Sequence, residues 1–168
     1  SWKLAIREAI IKCKTGQDDP LRRRQRQLVP GFAIVGPHYT VKRKVGSGAY
    51  GVVVAAVDER TGTNVAIKKV KQAFEDEIDA KRILREIRLM RKFAHPNVIS
   101  LRDMLTPSSL EDFEDIYIIT DLMSADLQHI IFSKTPLNED QQQWILYQCL
   151  CGLQYIHSCG VLHRDLKP

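Results

Sequence analysis

Apolar and polar positions change their period several times along this chain. Between residues 2 and 14, Leu4, Ala5, Ile6, Ala9, Ile10 and Cys13 recur at roughly helical spacing, which predicts a short amphipathic helix. From 16 to 37 the periodicity gives way to Asp18-Asp19-Pro20, a run of arginines, Pro30-Gly31 and Gly36-Pro37, a density of breakers and charge that suits a linker. The folded domain is therefore expected to begin near His38. Strand patterns follow at Tyr39–Val45, Val52–Val57 and Asn64–Val70, the last two separated by the turn-forming Asp58-Glu59-Arg60-Thr61-Gly62. Three short strands in succession predict an antiparallel meander. A helix is expected from about Glu77 to Phe93, stopped by His95-Pro96-Asn97 because the residue before proline disfavours helix.

Two further strands read at Val98–Leu105 and Ile116–Asp121, and only helices come after them. One is short, near Asp126–Phe132, and the other runs from about Asn138 to Ser158. Asn138-Glu139-Asp140-Gln141 has the arrangement of a capping box, and Ile145, Leu146, Cys149, Leu150, Leu153 and Ile156 form the apolar face of the long helix. The fold class is thus α+β: a five-stranded antiparallel sheet with one helix, followed by helices.

With 44% apolar and 27% charged residues over 168 positions, the chain has the composition of one folded domain of ordinary size. The formal charge of +5 is concentrated in Arg22, Arg23, Arg24 and Arg26. Such a run can bind nucleic acid, an acidic membrane or an import receptor, but with no interleaved aromatics it reads first as a solvated segment. The four cysteines, Cys13, Cys149, Cys151 and Cys159, form no C-x-x-C pair and no zinc-ligand spacing, so no metal site or disulfide framework is expected. Cys149 and Cys151 read as small core or near-core residues with reduced thiols. The longest apolar run, Val52–Val57, is too short to cross a bilayer, and Lys3, Arg7 and Glu8 interrupt the place of a signal peptide. The expected compartment is the cytosol or nucleus.

Chemistry is concentrated in four segments. Gly46-Ser47-Gly48-Ala49-Tyr50-Gly51-Val52-Val53 matches G-x-G-x-x-G-x-V, whose glycines let backbone N–H groups approach phosphate oxygens. The pattern alone also fits a plain glycine-rich hairpin or a dinucleotide fold, but strands on both sides favour a flap over a nucleotide. Val65-Ala66-Ile67-Lys68 lies on the third strand, where a lysine can reach the α- and β-phosphates of ATP. Alternation puts Lys69 on the other face, while Ala66 shares the face of Lys68 and is small enough to lie over an adenine ring. Glu86 is the expected counter-charge for Lys68, because Ile83, Leu89 and Met90 give it an inward face, whereas Glu75, Asp76, Glu77 and Asp79 form a water-suited cluster. An intrahelical pair of Glu86 with Arg82 is the competing reading. Finally, His163-Arg164-Asp165-Leu166-Lys167-Pro168 opens the pattern H-R-D-x-x-x-x-N, in which Asp165 accepts the proton of a substrate hydroxyl and Lys167 steadies the charge of the transferring phosphoryl group.

From Tyr39 onward the chain resembles the protein serine/threonine kinases, and among them the MAP kinases. That second likeness is carried by Leu84-Arg85-Glu86-Ile87, Ile116-Tyr117-Ile118-Ile119-Thr120-Asp121-Leu122-Met123, Ala125-Asp126-Leu127 and Tyr155-Ile156-His157-Ser158. The resemblance implies a protein-kinase-like fold, with 38–121 as the N-lobe and 122–168 as the hinge and start of a C-lobe. It implies Thr120 as gatekeeper behind the adenine, a hinge at Asp121 to Met123, and Asp126 near the ribose. It also implies ATP and magnesium, protein substrates and an upstream activating kinase. Residues 1–37 lie outside it. The asparagine of the loop would fall five positions after Asp165, past Pro168, and the D-F-G aspartate is likewise not among the 168 residues, so this stretch alone is expected to be inactive and to expose apolar helix surface. A non-catalytic nucleotide-binding or docking module is the alternative.

Overall fold

The computed structural model describes residues 31–32, 35, 37–48, 51–105, 109, 113–133 and 136–168. The predicted helix at 2–14 and the arginine run lie outside them. Two compact units are present, one of residues up to Met90 together with Leu101–Leu122, the other of Arg91–Ser100 with Met123–Pro168.

The first unit is built on a five-stranded antiparallel sheet in the order β1-β2-β3-β5-β4. Its strands are β1 (Tyr39–Gly48), β2 (Gly51–Asp58), β3 (Thr63–Val70), β4 (Asp103–Met104) and β5 (Ile116–Asp121), with helix α1 (Glu77–Lys92) between β3 and β4. The β2–β3 turn closes as its residues predict: the Asp58 carbonyl accepts from the N–H of Thr61 and Gly62, and Gly62 takes a left-handed φ of 69°. Asp76 caps α1 by accepting from the backbone N–H groups of Ile78 and Asp79 at 2.8 and 2.9 Å. The strand expected at 98–105 shrinks to two residues. Its first part is held elsewhere: Val98 N–H donates to the His95 carbonyl and Leu101 N–H to the carbonyl of Met90, at the end of α1.

Side-chain alternation divides the core between the two faces of the sheet. Under α1, Ile83, Leu84 and Ile87 pack with Val70, Met104, Phe113, Ile116 and Ile118. On the other face Val54, Ala56, Val65, Ile67, Tyr117 and Ile119 are covered by Phe32 and Val35, which are 2% and 0% exposed. These two residues belong to the stretch that reads as linker, so the packed structure reaches back before His38. Burying each is worth about 1.5–3 kcal/mol. At the edge, Tyr39, Asp58, Arg60 and Asp103 form a polar network in which both carboxylates are buried and the Arg60 guanidinium bridges them.

In the second unit, α2 (Leu127–Ile131) is capped by Asp126, and α3 (Glu139–Ser158) begins with the predicted capping box of Asn138 and Gln141. The segment 91–100 packs on α3: His95 stacks on Tyr155, Ala94 N–H donates to the Tyr155 hydroxyl, and a Cβ at Gly152 would stand 2.7 Å from the Asn97 carbonyl oxygen. The expected apolar face of α3 is only partly buried. Ile156 is covered, but Leu146, Cys149 and Leu150 are exposed, so Cys149 is not a core or near-core residue. Segment 91–100 packs on one part of α3, and Leu127, Ile130, Pro136 and Leu137 adjoin Ile145, Leu146 and Cys149 around an open apolar cavity. Trp144 and Tyr147 stack on each other in the open.

Candidate functional site

The site-forming features of the first unit follow from the register of β2, β3 and β5. Val53, Lys68 and Ile118 are partners across the three strands, and Ala55, Ala66 and Thr120 form the neighbouring row. Both rows share the face that α1 covers. Where α1 lies over it, Val70, Ile116 and Ile118 are buried, whereas Val53, Ala66, Lys68 and Thr120 remain partly open. The strip of sheet they make is apolar at Val53 and Ala66 and charged at Lys68.

Lys68 Nζ lies 2.8 Å from Glu86 Oε1. The side chains are 35% and 41% exposed, so solvent screens the pair and its net worth to stability is about 0–1 kcal/mol. Its consequence is positional. The competing partner Arg82 binds Asp79 instead at 3.0 Å, Glu77 binds Lys81 at 2.6 Å, and Asp76 caps the helix. The acidic cluster is therefore used locally, and Glu86 is the carboxylate that reaches across to the sheet.

The described residues of the glycine-rich segment pair as the two arms of a hairpin, with Gly46 opposite Val53, Ser47 opposite Val52 and Gly48 opposite Gly51. Ala49 and Tyr50 lie outside the described residues. Gly51 has a φ of 136°, and a Cβ there would come 1.9 Å from the Lys69 carbonyl oxygen, so only glycine fits. A cavity of about 570 Å³ adjoins Ser47, Gly48, Gly51, Val70 and Ile83. Thr120 donates its hydroxyl to the carbonyl of Asp121 at 3.3 Å, and the Asp121 carboxylate is engaged with Arg102, which also donates to Thr63.

In the second unit, Met123 is 62% exposed. Asp126 accepts from the backbone N–H and the ring Nδ1 of His129; the backbone bond, more than the ring, pulls its carboxyl below the usual range. Asp165 and Lys167 are brought together, Nζ 3.1 Å from Oδ2, and both are largely exposed. Arg164 before them holds a left-handed φ of 59°, a conformation costing a non-glycine residue roughly 1–2 kcal/mol, so the backbone of this short loop is strained just before its aspartate. Among the described residues no three His, Cys, Asp or Glu side chains converge as a metal-binding group. The carboxylates among the described residues do not by themselves fit magnesium.

Sequence reasoning missed two groups. The Tyr39–Asp103–Arg60–Asp58 network joins residues far apart in sequence. Burial and the hydrogen bond to Asp103 push the Tyr39 phenol well above the tyrosine range. The second group surrounds Lys69 on the outer face, where Nζ is 2.7 Å from Asp115 Oδ2 and 3.1 Å from the Gly31 carbonyl oxygen. Its sequence signal was the Gly31-Phe32 pair, a glycine beside a large apolar residue inside the apparent linker.

A glycine-rich hairpin and a β3 lysine paired to a helix glutamate in the first unit, and a His-Arg-Asp loop in the second, are each features of a protein kinase domain. The family described as "Protein kinase domain" matches residues 39–168, and the chain belongs to that family. Its curated relatives are MAP kinases. It is 51% identical over 143 residues to "Extracellular signal-regulated kinase 1" of Dictyostelium discoideum, covering 82% of this chain and 27% of that protein. It is 54% identical over 137 residues to "Mitogen-activated protein kinase 5" of Arabidopsis thaliana, covering 82% of this chain and 36% of the relative. With "Mitogen-activated protein kinase 6" of Oryza sativa subsp. japonica it shares 52% identity over 126 residues, 75% of this chain and 34% of the relative. The chain thus spans between a quarter and somewhat over a third of the length of these relatives.

Proposed function

We propose that these residues are the nucleotide-binding part of an enzyme that transfers the γ-phosphoryl group of ATP to serine or threonine of protein substrates, in signalling of the MAP kinase type. The observation that carries the reading is the Lys68–Glu86 pair at 2.8 Å on a partly open strip of sheet beside the glycine-rich hairpin. Glu86 holds the ammonium in place, and Lys68 keeps donors for the α- and β-phosphates. Gly46, Ser47, Gly48, Ala49, Tyr50 and Gly51 offer backbone N–H groups to the phosphates. Val53 and Ala66 supply apolar surface for adenine, Thr120 stands behind it, the backbone of Asp121 to Met123 hydrogen-bonds its edge, and Asp126 serves the ribose. In the transfer the substrate oxygen bonds to the γ-phosphorus, the bond to the β–γ bridging oxygen breaks, ADP leaves, and the hydroxyl proton goes to Asp165. Lys167 steadies the transferring group.

Magnesium is part of this proposal for the enzyme as a whole and supplies charge neutralisation at the phosphates. Residues 1–168 alone are proposed to be inactive, since the described residues assemble no metal-binding group. Protein substrates and an upstream activating kinase are the proposed partners, in the cytosol or nucleus; among the described residues no helix is long and apolar enough to cross a membrane.

The test is incorporation of labelled phosphate into a basic protein. Polypeptide 1–168 is compared with the same residues joined to the remainder of the Arabidopsis relative's kinase domain. Transfer by the joined protein alone, lost in Asp165→Asn, is expected. Equal transfer by both overturns the proposed inactivity. No transfer by a joined protein that still binds nucleotide favours the non-catalytic module.

A further inference from the structure

We propose that Lys69, on the face of β3 turned away from the nucleotide strip, is a positioning residue that clamps β3 and thereby sets the place of both Lys68 and the glycine-rich hairpin. The proposal rests on the nucleotide-binding reading above. The Lys69 side chain is only 11% exposed, an expensive place for an ammonium unless it is paired. It is paired on several sides: Asp115 Oδ2 at 2.7 Å, the Gly31 carbonyl oxygen at 3.1 Å, and the Tyr117 ring at 5.4 Å from its centroid. Burial works against the charge, but the interactions with Asp115 and Tyr117 together outweigh it and hold the ammonium above its ordinary pKa.

Each partner comes from a different part of the chain. Gly31 precedes the family match and is shaped for close contact with the ammonium, since its φ is 89° and a Cβ there would press to 3.2 Å from Lys69 Nζ. Its carbonyl also accepts from the Tyr117 hydroxyl at 2.9 Å. Asp115 stands immediately before β5 and accepts from the N–H of Gln72, just past the end of β3. The Lys69 backbone meets the hairpin, since a Cβ on Gly51 would fall 1.9 Å from the Lys69 carbonyl oxygen and 3.0 Å from its carbon. One residue therefore joins the segment at Gly31, the exit of the glycine-rich hairpin, β3 and the start of β5. Its neighbour Lys68 is held on the opposite face by Glu86. A strand held on one face through Lys69 and on the other through Lys68 is restrained against rotation and sliding, and a shift of about 1 Å in a phosphate-positioning group is enough to lower transfer about 100-fold.

The experiment uses polypeptide 1–168 and reads residue-resolved amide hydrogen exchange together with affinity for a fluorescent ATP analogue. In Lys69→Met, exchange at Gly51–Val53 is expected to quicken about tenfold, a local opening, while Ile83–Ile87 in α1 stays protected. Nucleotide affinity falls by about the same factor. Asp115→Asn and Gly31→Ala shift both readouts in the same direction, and Lys69→Met combined with Asp115→Asn costs less than the sum of the two. These two variants carry the test if Lys69→Met does not fold. Unchanged exchange at Gly51–Val53, or equal quickening in α1, overturns the clamp. Lys68→Met separates the two levels: normal nucleotide affinity in that variant defeats the nucleotide reading, whereas the exchange measurement judges the clamp independently.

Discussion

Lys68 and Lys69 are adjacent in sequence and held on opposite faces of the sheet, one by Glu86 at 2.8 Å and the other by Asp115 at 2.7 Å. The first pair is half open and the second largely shielded. Two lysines of identical chemistry are thereby given different surroundings by the period of a β-strand. In the proposed function Lys68 keeps donors for phosphate while paired to Glu86, and Lys69 cannot leave its partners without stripping Asp115 of its counter-charge.

In a protein extended to a full kinase domain, Lys68→Met is expected to lower kcat/KM for phosphoryl transfer about 100-fold or more, because a positioned cation at the phosphates is lost. Glu86→Gln should lower it less, since the lysine remains but is no longer held. Steady-state kinetics decide it; equal activity of Lys68→Met and the parent contradicts the assignment.

Thr120→Phe is expected to block ligands that reach behind the adenine while leaving ATP affinity within a few-fold. The side chain is partly open, and its hydroxyl is spent on the neighbouring Asp121 carbonyl rather than on a core group. Competition binding with a nucleotide and with a bulky adenine-site inhibitor checks this. Equal loss of both would show that Thr120 does not stand at the back of the pocket.

Asn138→Ala should destabilise the second unit by about 1 kcal/mol, the usual cost of an N-cap, because Asn138 and Gln141 satisfy each other's backbone N–H groups. Thermal unfolding followed by helix signal measures it. No change in Tm would mean that the first turn of α3 frays.

Stability should fall at high pH. The Tyr39 and Tyr117 phenols and the Lys69 ammonium are all raised in the folded state, the tyrosines chiefly by burial. A raised folded value contributes stability that is complete below the unfolded value, about 10 for these groups, and is lost as pH climbs past it toward the folded value. Unfolding midpoints measured from neutrality to above pH 10 should drop, and Tyr39→Phe should flatten part of the drop.

The sheet was legible because strand periodicity and turn residues agree: Tyr39, Gly51–Asp58 and Ile116–Asp121 fall where alternation puts them. Glu86 was legible because an inward carboxylate on an amphipathic helix needs a partner. Local pattern could not show Phe32 and Val35, whose burial depends on a sheet face assembled from β1, β2, β3 and β5. It misjudged Cys149 for the converse reason: a helix's apolar stripe states what should be covered, and in the described residues little covers Leu146, Cys149 and Leu150. Residues 98–101 carry strand-like side chains, yet the His95 carbonyl takes the Val98 N–H and the Met90 carbonyl in α1 takes the Leu101 N–H.

The claim that ATP phosphates lie against Lys68 is tested most directly by an ATP analogue carrying an acylating group on its terminal phosphate, which modifies whichever lysine amine is held beside the phosphates. Polypeptide 1–168 is treated with the analogue, digested and sequenced by mass spectrometry, with and without excess ATP. The account predicts modification of Lys68, suppressed by ATP, with Lys69 untouched because Asp115 and Gly31 shield it. Modification of Lys69 in preference to Lys68, or labelling of Lys68 that excess ATP does not suppress, would contradict it.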